Sequence, residues 1–221
     1  MIKGIIFDID GVLLNSLSIW DNLGAKYLRS IGTEPEKGLN EILFSMSMEQ
    51  AADYMVERYN LSQSSEDVIN GISQMIESFY FNEAPAKTGA KELMEYMKDK
   101  GIKMTAATSC PRIHVEKALE RNGMLKYLDK IFTNGEIGVS KHSPDIYNIA
   151  AEYMGTEPKE TFVFEDSIYA LNTAREAGFI TVGVYAENGE PDQDGVRNAG
   201  DYYLNSMSEF AEVLESELSV A

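Results

Sequence analysis

Ile5-Ile6-Phe7-Asp8-Ile9-Asp10-Gly11 is a short apolar run that ends on two carboxylates and a glycine. Its apolar part is bounded and brief, which reads as a buried strand. In an extended chain residues two apart share a face, so Asp8 and Asp10 are expected to point together beyond the strand end while Ile9 points away. A carboxylate pair at the mouth of a sheet suits attack on phosphorus by one member while its neighbour handles the proton. Gly11 permits a sharp turn after the pair and brings backbone N–H groups toward phosphate oxygens.

Two later apolar runs end in the same manner. Met104-Thr105-Ala106-Ala107 leads into Thr108-Ser109, and Thr161-Phe162-Val163-Phe164 leads into Glu165-Asp166, while Lys141 stands in the loop Gly138-Val139-Ser140-Lys141. Thr108 offers a hydroxyl donor to a phosphate oxygen. Asp8, Asp10, Glu165 and Asp166 would bring four negative charges to one pocket against a single lysine. Like charges at that spacing need a counter-ion, and an oxygen-rich site calls for a hard divalent cation, with magnesium expected.

Between these segments the periodicity changes. From Ser16 to Glu83 it is helical throughout: Leu23, Tyr27 and Ile31 form one stripe, Ser47 to Gln50 reads as a capping box, and Ile72, Ile76 and Phe79 continue a last stripe. Residues 82–89 break the pattern. Beyond them short apolar strands alternate with helices, one of them expected to open with Ser143 as its N-cap, which argues for a parallel sheet covered on both faces. Such sheets bind ligands beyond the carboxyl ends of their strands. The expected organisation is α/β: a Rossmann-like three-layer core of residues 1–15 and 84–221, with residues 16–83 inserted as a small all-helical cap.

Composition narrows the partners. The 221 residues carry a formal charge of −17, which argues against nucleic acid or an anionic membrane as the target. A lone cysteine, Cys110, allows no intramolecular disulfide and suits a reducing compartment, and its expected role is packing. The first residues show neither a leader pattern nor a membrane span, so the cytoplasm is the expected location.

In order and spacing these motifs resemble the haloacid dehalogenase superfamily of phosphohydrolases, in the branch with a helical cap after the first motif. The resemblance spans essentially the whole chain. It implies that Asp8 is a nucleophile forming an aspartyl-phosphate and that Asp10 protonates the leaving alcohol and then activates water. It makes Asp8, Gly11, Thr108, Ser109 and Lys141 the phosphate-binding set, and Asp8, Asp10, Asp166 and Glu165 the magnesium site, with Glu165 either coordinating or organising the ligands. Asn15 stands where the family usually has Asp, and His142 where it often has Pro.

The implied activity is hydrolysis of small phosphorylated metabolites, sugar phosphates by default, by a chain expected to be a monomer. A beta-phosphoglucomutase-like mutase shares these motifs. That family has a histidine and an arginine at cap positions where this sequence has Trp20 and Met48, so water is the expected acceptor. A non-catalytic phosphate-binding module is the remaining alternative, disfavoured by an intact set of reacting residues.

Overall fold

Four strands carry the residues singled out above or flank them, and they lie side by side. The computed structural model describes residues 2–44, 46–210 and 212–213. Among these, β1 (Gly4–Phe7), β2 (Lys103–Thr108), β3 (Lys130–Thr133), β4 (Thr161–Glu165), β5 (Ile180–Val184) and β6 (Tyr202–Leu204) form one parallel sheet in the order β3-β2-β1-β4-β5-β6. Successive strands run outward from β1 on one side and from β4 on the other. The order reverses between these two, which is where open α/β sheets leave a crevice. Every residue of β1 and β4 is buried, as apolar runs covered on both faces must be.

The chain divides into two compact units, Met1–Leu17 with Ala84–Ala221, and Ser18–Glu83. The second is helical: α1 (Leu23–Ser30), α2 (Leu39–Leu43), α3 (Met48–Tyr59) and α4 (Ser65–Asn82). The capping box at α3 forms, with the Ser47 hydroxyl accepting from Gln50 N and the Gln50 side chain accepting from Ser47 N. A second one, Ser64 with Asp67, opens α4. Glu36 accepts from Arg58 and from the Tyr54 hydroxyl, tying the loop after α1 to α3.

In the sheet unit, α5 (Ala90–Asp99), α6 (Arg112–Arg121), α7 (Asn134–Ile137), α8 (Asp145–Met154), α9 (Ile168–Glu176) and α10 (Gln193–Ala199) follow or separate the strands. Ile6, Ala107, Phe132 and Val163 from four strands pack with Ile146, Tyr147 and Ala150 of α8 in one core cluster. Phe7, Phe162 and Phe164, one residue out of phase with it, form a chain of ring contacts, with Phe7 and Phe164 centroids 4.9 Å apart. No helix among the described residues is long and apolar enough to cross a membrane.

Two local expectations are revised. The α8 helix starts at Asp145 with Pro144 as its capping position, not Ser143. Ser143 already closes a turn by donating its N–H to Ser140 O, and its hydroxyl donates to the Asp145 carboxylate. Moreover β1 ends at Phe7, one residue before the carboxylate pair, so strand alternation does not aim Asp10. A turn does so: Ile9 O accepts from the N–H groups of Leu13 and Leu14, and Gly11 N donates to Leu14 O.

Ile6 lies fully buried in the central strand. Ile6→Ala should lower the free energy of unfolding by about 2–5 kcal/mol, read by denaturant titration.

Candidate active site

The residues proposed from sequence come from the carboxyl ends of neighbouring strands. Asp8 follows β1, Thr108 ends β2 and Glu165 ends β4, and these three strands are adjacent in the sheet. The register fixes their levels: Phe7 is opposite both Ala106 and Phe164, and Asp8 N donates to Phe164 O at 2.9 Å. Hence Asp8 and Glu165 leave the sheet at the same level.

Asp8, Glu165 and Asp166 are buried, and each offers a carboxylate oxygen within 4.8 Å of the others. Lys141, 3% exposed, reaches in from the loop before α8 and places Nζ 2.5 Å from Asp8 Oδ1 and 2.7 Å from Glu165 Oε1. The Tyr147 hydroxyl, from the first turn of α8, donates to Glu165 Oε1 at 2.7 Å. Asp10 lies outside the carboxylate trio, and its Oδ1 accepts from the buried Ser16 hydroxyl at 2.5 Å.

Burial and crowding set the protonation. Burial raises Asp166 to about 8, helped by the negative charges of Asp8 and Glu165. Burial also raises Glu165, to about 7, although Lys141 pulls the other way. For Lys141 burial acts to remove the proton, but Asp8 and Glu165 outweigh it and hold the ammonium above its usual range. Two carboxyls that resist ionisation beside a third are a set whose charge a divalent cation would neutralise, so these donors fit a hard metal ion.

Gly11 has φ 85°, and a Cβ there would stand 2.9 Å from Asp166 Cγ and 2.9 Å from Leu17 Cδ1. Only a residue without a side chain lets Asp166 lie against this turn. The Thr108 oxygen accepts from Cys110 N at 3.0 Å, which uses a lone pair and not the O–H. Ser109 is exposed and its hydroxyl accepts from Asn134 Nδ2 at 2.7 Å. Cys110 is buried. His142, in the position that departs from the family's usual Pro, stacks on Tyr169 with ring centroids 4.4 Å apart.

Sequence reading missed two residues here. Tyr147 is hidden in the apolar stripe of α8, and nothing in its spacing marks it as the partner of Glu165. Lys87 stands in the segment returning from the helical unit, and its ammonium donates to the carbonyls of Gly11 and Tyr185. Its one sequence signal is a lysine in a linker that pairs with the first motif, and pairing cannot be read from one sequence.

Haloacid dehalogenase-like hydrolases match residues 5–184 of the chain. The chain belongs to that family. A phosphorylated carbohydrates phosphatase of Thermotoga maritima is 24% identical over 80% of this chain and 82% of its own length. Hexitol phosphatase B of Escherichia coli strain K12 is 24% identical over 92% of each. A solved Thermotoga maritima structure, provisionally assigned as a beta-phosphoglucomutase, superposes with a TM-score of 0.84 at 24% identity, covering 97% of this chain and 99% of the other. That likeness establishes a shared fold.

Gly11→Ala should cost about 1–3 kcal/mol of stability through the strained turn. It should also displace Asp166 and weaken binding of a divalent cation, both measurable by calorimetry on the purified variant.

Proposed function

We propose that the chain is a magnesium-dependent phosphatase of small phosphorylated metabolites, with sugar phosphates the first class to test. The observation that carries this reading is Asp8, buried at the end of the central strand, in contact with the Lys141 ammonium and grouped with Glu165 and Asp166. The phosphatase names of the two sequence relatives support it.

An Asp8 carboxylate oxygen attacks phosphorus, the bond from phosphorus to the leaving oxygen breaks, and Asp10 gives that oxygen its proton. Water then attacks the aspartyl-phosphate while Asp10 takes a proton back, releasing phosphate and the Asp8 carboxylate. Ser16 holds the Asp10 carboxylate by a hydrogen bond and so limits its rotation. Lys141 and the Thr108 hydroxyl orient phosphate oxygens, while the Gly11 N–H is taken by Leu14 O and that residue serves by shaping the turn. Magnesium, held by Asp8 and Asp166 with Glu165 beside them, would offset the charge that otherwise keeps a phosphate from the nucleophile. The lone buried cysteine suits action in the reducing cytoplasm.

Asp8→Asn keeps the shape and leaves Lys141 paired with Glu165. Hydrolysis of an aryl phosphate should vanish in this variant, and a chelator should abolish it in the unmodified protein. Activity that survives either treatment would refute the assignment of Asp8 or of the metal.

The helical unit, residues 16–83, is the proposed cap domain and selector of substrate. Within it Trp20, Leu23, Phe44, Met46, Met48 and Met55 line a cavity of about 400 Å³. Asp21 is the one ionisable residue among the described lining residues, so the cavity holds no cation to anchor a second phosphate. It favours the uncharged body of a monophosphate. Replacing Trp20 and Met48 by Ala should change the ranking of phosphorylated metabolites while largely keeping turnover of a small aryl phosphate. Uniform loss on all substrates in a folded variant would show that these side chains serve the chemistry or the fold.

A further inference from the structure

Backbone hydrogen bonds hold Lys87 in place. Its N–H donates to Leu13 O at 2.9 Å, Asn15 N donates to Pro85 O at 2.9 Å, and Leu14 bridges Ala86 in an antiparallel pairing. The segment leaving the first motif and the segment returning to the core thus form a short ribbon. From it the Lys87 side chain runs inward, and Nζ donates to two carbonyls, Gly11 O in the turn after Asp10 and Tyr185 O just past β5. Two carbonyl oxygens directed at one point repel each other unless a donor lies between them. An ammonium supplies both hydrogen bonds and keeps its charge.

That charge acts on the site. Lys87 donates to Gly11 O in the turn against which Asp166 lies, so the ammonium stands close to that carboxylate, and burial lowers Lys87 to about 8 against the attraction of Asp166 and Asp8. The charge balance follows from counting the groups. With a divalent cation bound to keep them ionised, three carboxylates, Asp8, Glu165 and Asp166, stand against that cation and two ammoniums, Lys141 and Lys87, and the total is positive. With Lys141 alone the same total would be neutral, and a phosphate dianion would gain less on entering.

We propose that Lys87 is a positioning residue and second fixed cation of this site: it pins the Gly11 turn to the end of β5, favours phosphate, and moderates the affinity for the metal. The inference rests on the site reading above and assigns a role to a residue outside its recognised motifs.

The test uses Lys87→Met, which removes charge and donors, and Lys87→Gln, which removes charge and keeps an N–H donor on a shorter side chain. Both are checked for native circular dichroism, and Lys87→Gln carries the test if Lys87→Met does not fold. Calorimetry on the substrate-free protein measures magnesium alone, and then inorganic phosphate at saturating magnesium. Loss of one charge beside the turn that packs on Asp166 should tighten magnesium binding about three- to tenfold and weaken phosphate binding by a similar factor. Opposite shifts are the signature of a charge, because a lysine with only a structural role would weaken both ligands together. Unchanged affinities, or losses of the same sign, would overturn the assignment. Hydrolysis by the unmodified protein decides the phosphatase reading separately: if it hydrolyses nothing, that reading falls while the pair of binding shifts still decides on Lys87.

Discussion

A lysine ammonium enclosed between two carboxylates is the constraint on which the site depends. Lys141 is nearly inaccessible to water, and it touches Asp8 and Glu165. Isolating any of these charges in the interior would cost several kcal/mol, so each is tolerable only where the others stand. Asp8 and Glu165 arrive from adjacent strands in fixed register, and Lys141 must come from the loop ahead of α8. The packing of α8 against β1 and β2 is therefore part of the electrostatics, since Tyr147 of the same helix also holds Glu165. The sheet, the helix and the charge network each require the others.

The network is in tension by its own composition. Asp166 and Glu165 are both driven toward the protonated form by burial, with further pressure from neighbouring negative charge. A compact fold would remove such crowding if stability were the only demand, because a buried polar network can often be replaced by apolar packing at no loss. Its retention beside a tight glycine turn fits a site built to receive a cation and an anion together. Asp166 can approach that turn only because residue 11 has no Cβ. The Lys87 contacts with Gly11 and Tyr185 act on the same turn.

In the proposed function, chemistry and selection fall to different parts of the chain. The charged groups lie in the sheet unit, on strand ends whose positions are set by hydrogen-bonded register. The helical unit contributes a largely apolar cavity whose lining includes Met46, Met48, Met55 and the exposed Trp20 and Phe44, side chains that can be remodelled without disturbing an ion pair. Such a division lets one set of reacting groups serve varied substrates, as the differing substrates named for the two sequence relatives illustrate.

Residue order alone determined the strand ends at Phe7, Thr108 and Phe164-Glu165, because short apolar runs bounded by polar residues have few other ways to be buried. It also determined the helical stretch and its capping box at Ser47, since both are local properties. Local reasoning failed where the backbone left the regular pattern: Asp10 is placed by a turn and not by strand alternation, and Ser143 closes a turn one residue before the expected helix could use it. The partners of Glu165 and of the Gly11 turn lay beyond its reach. Tyr147 and Lys87 are 18 residues from Glu165 and 76 from Gly11, respectively. Their hydrogen bonds exist because strand order and linker pairing bring distant segments together, and that juxtaposition is a property of the folded chain that no single stretch of it encodes.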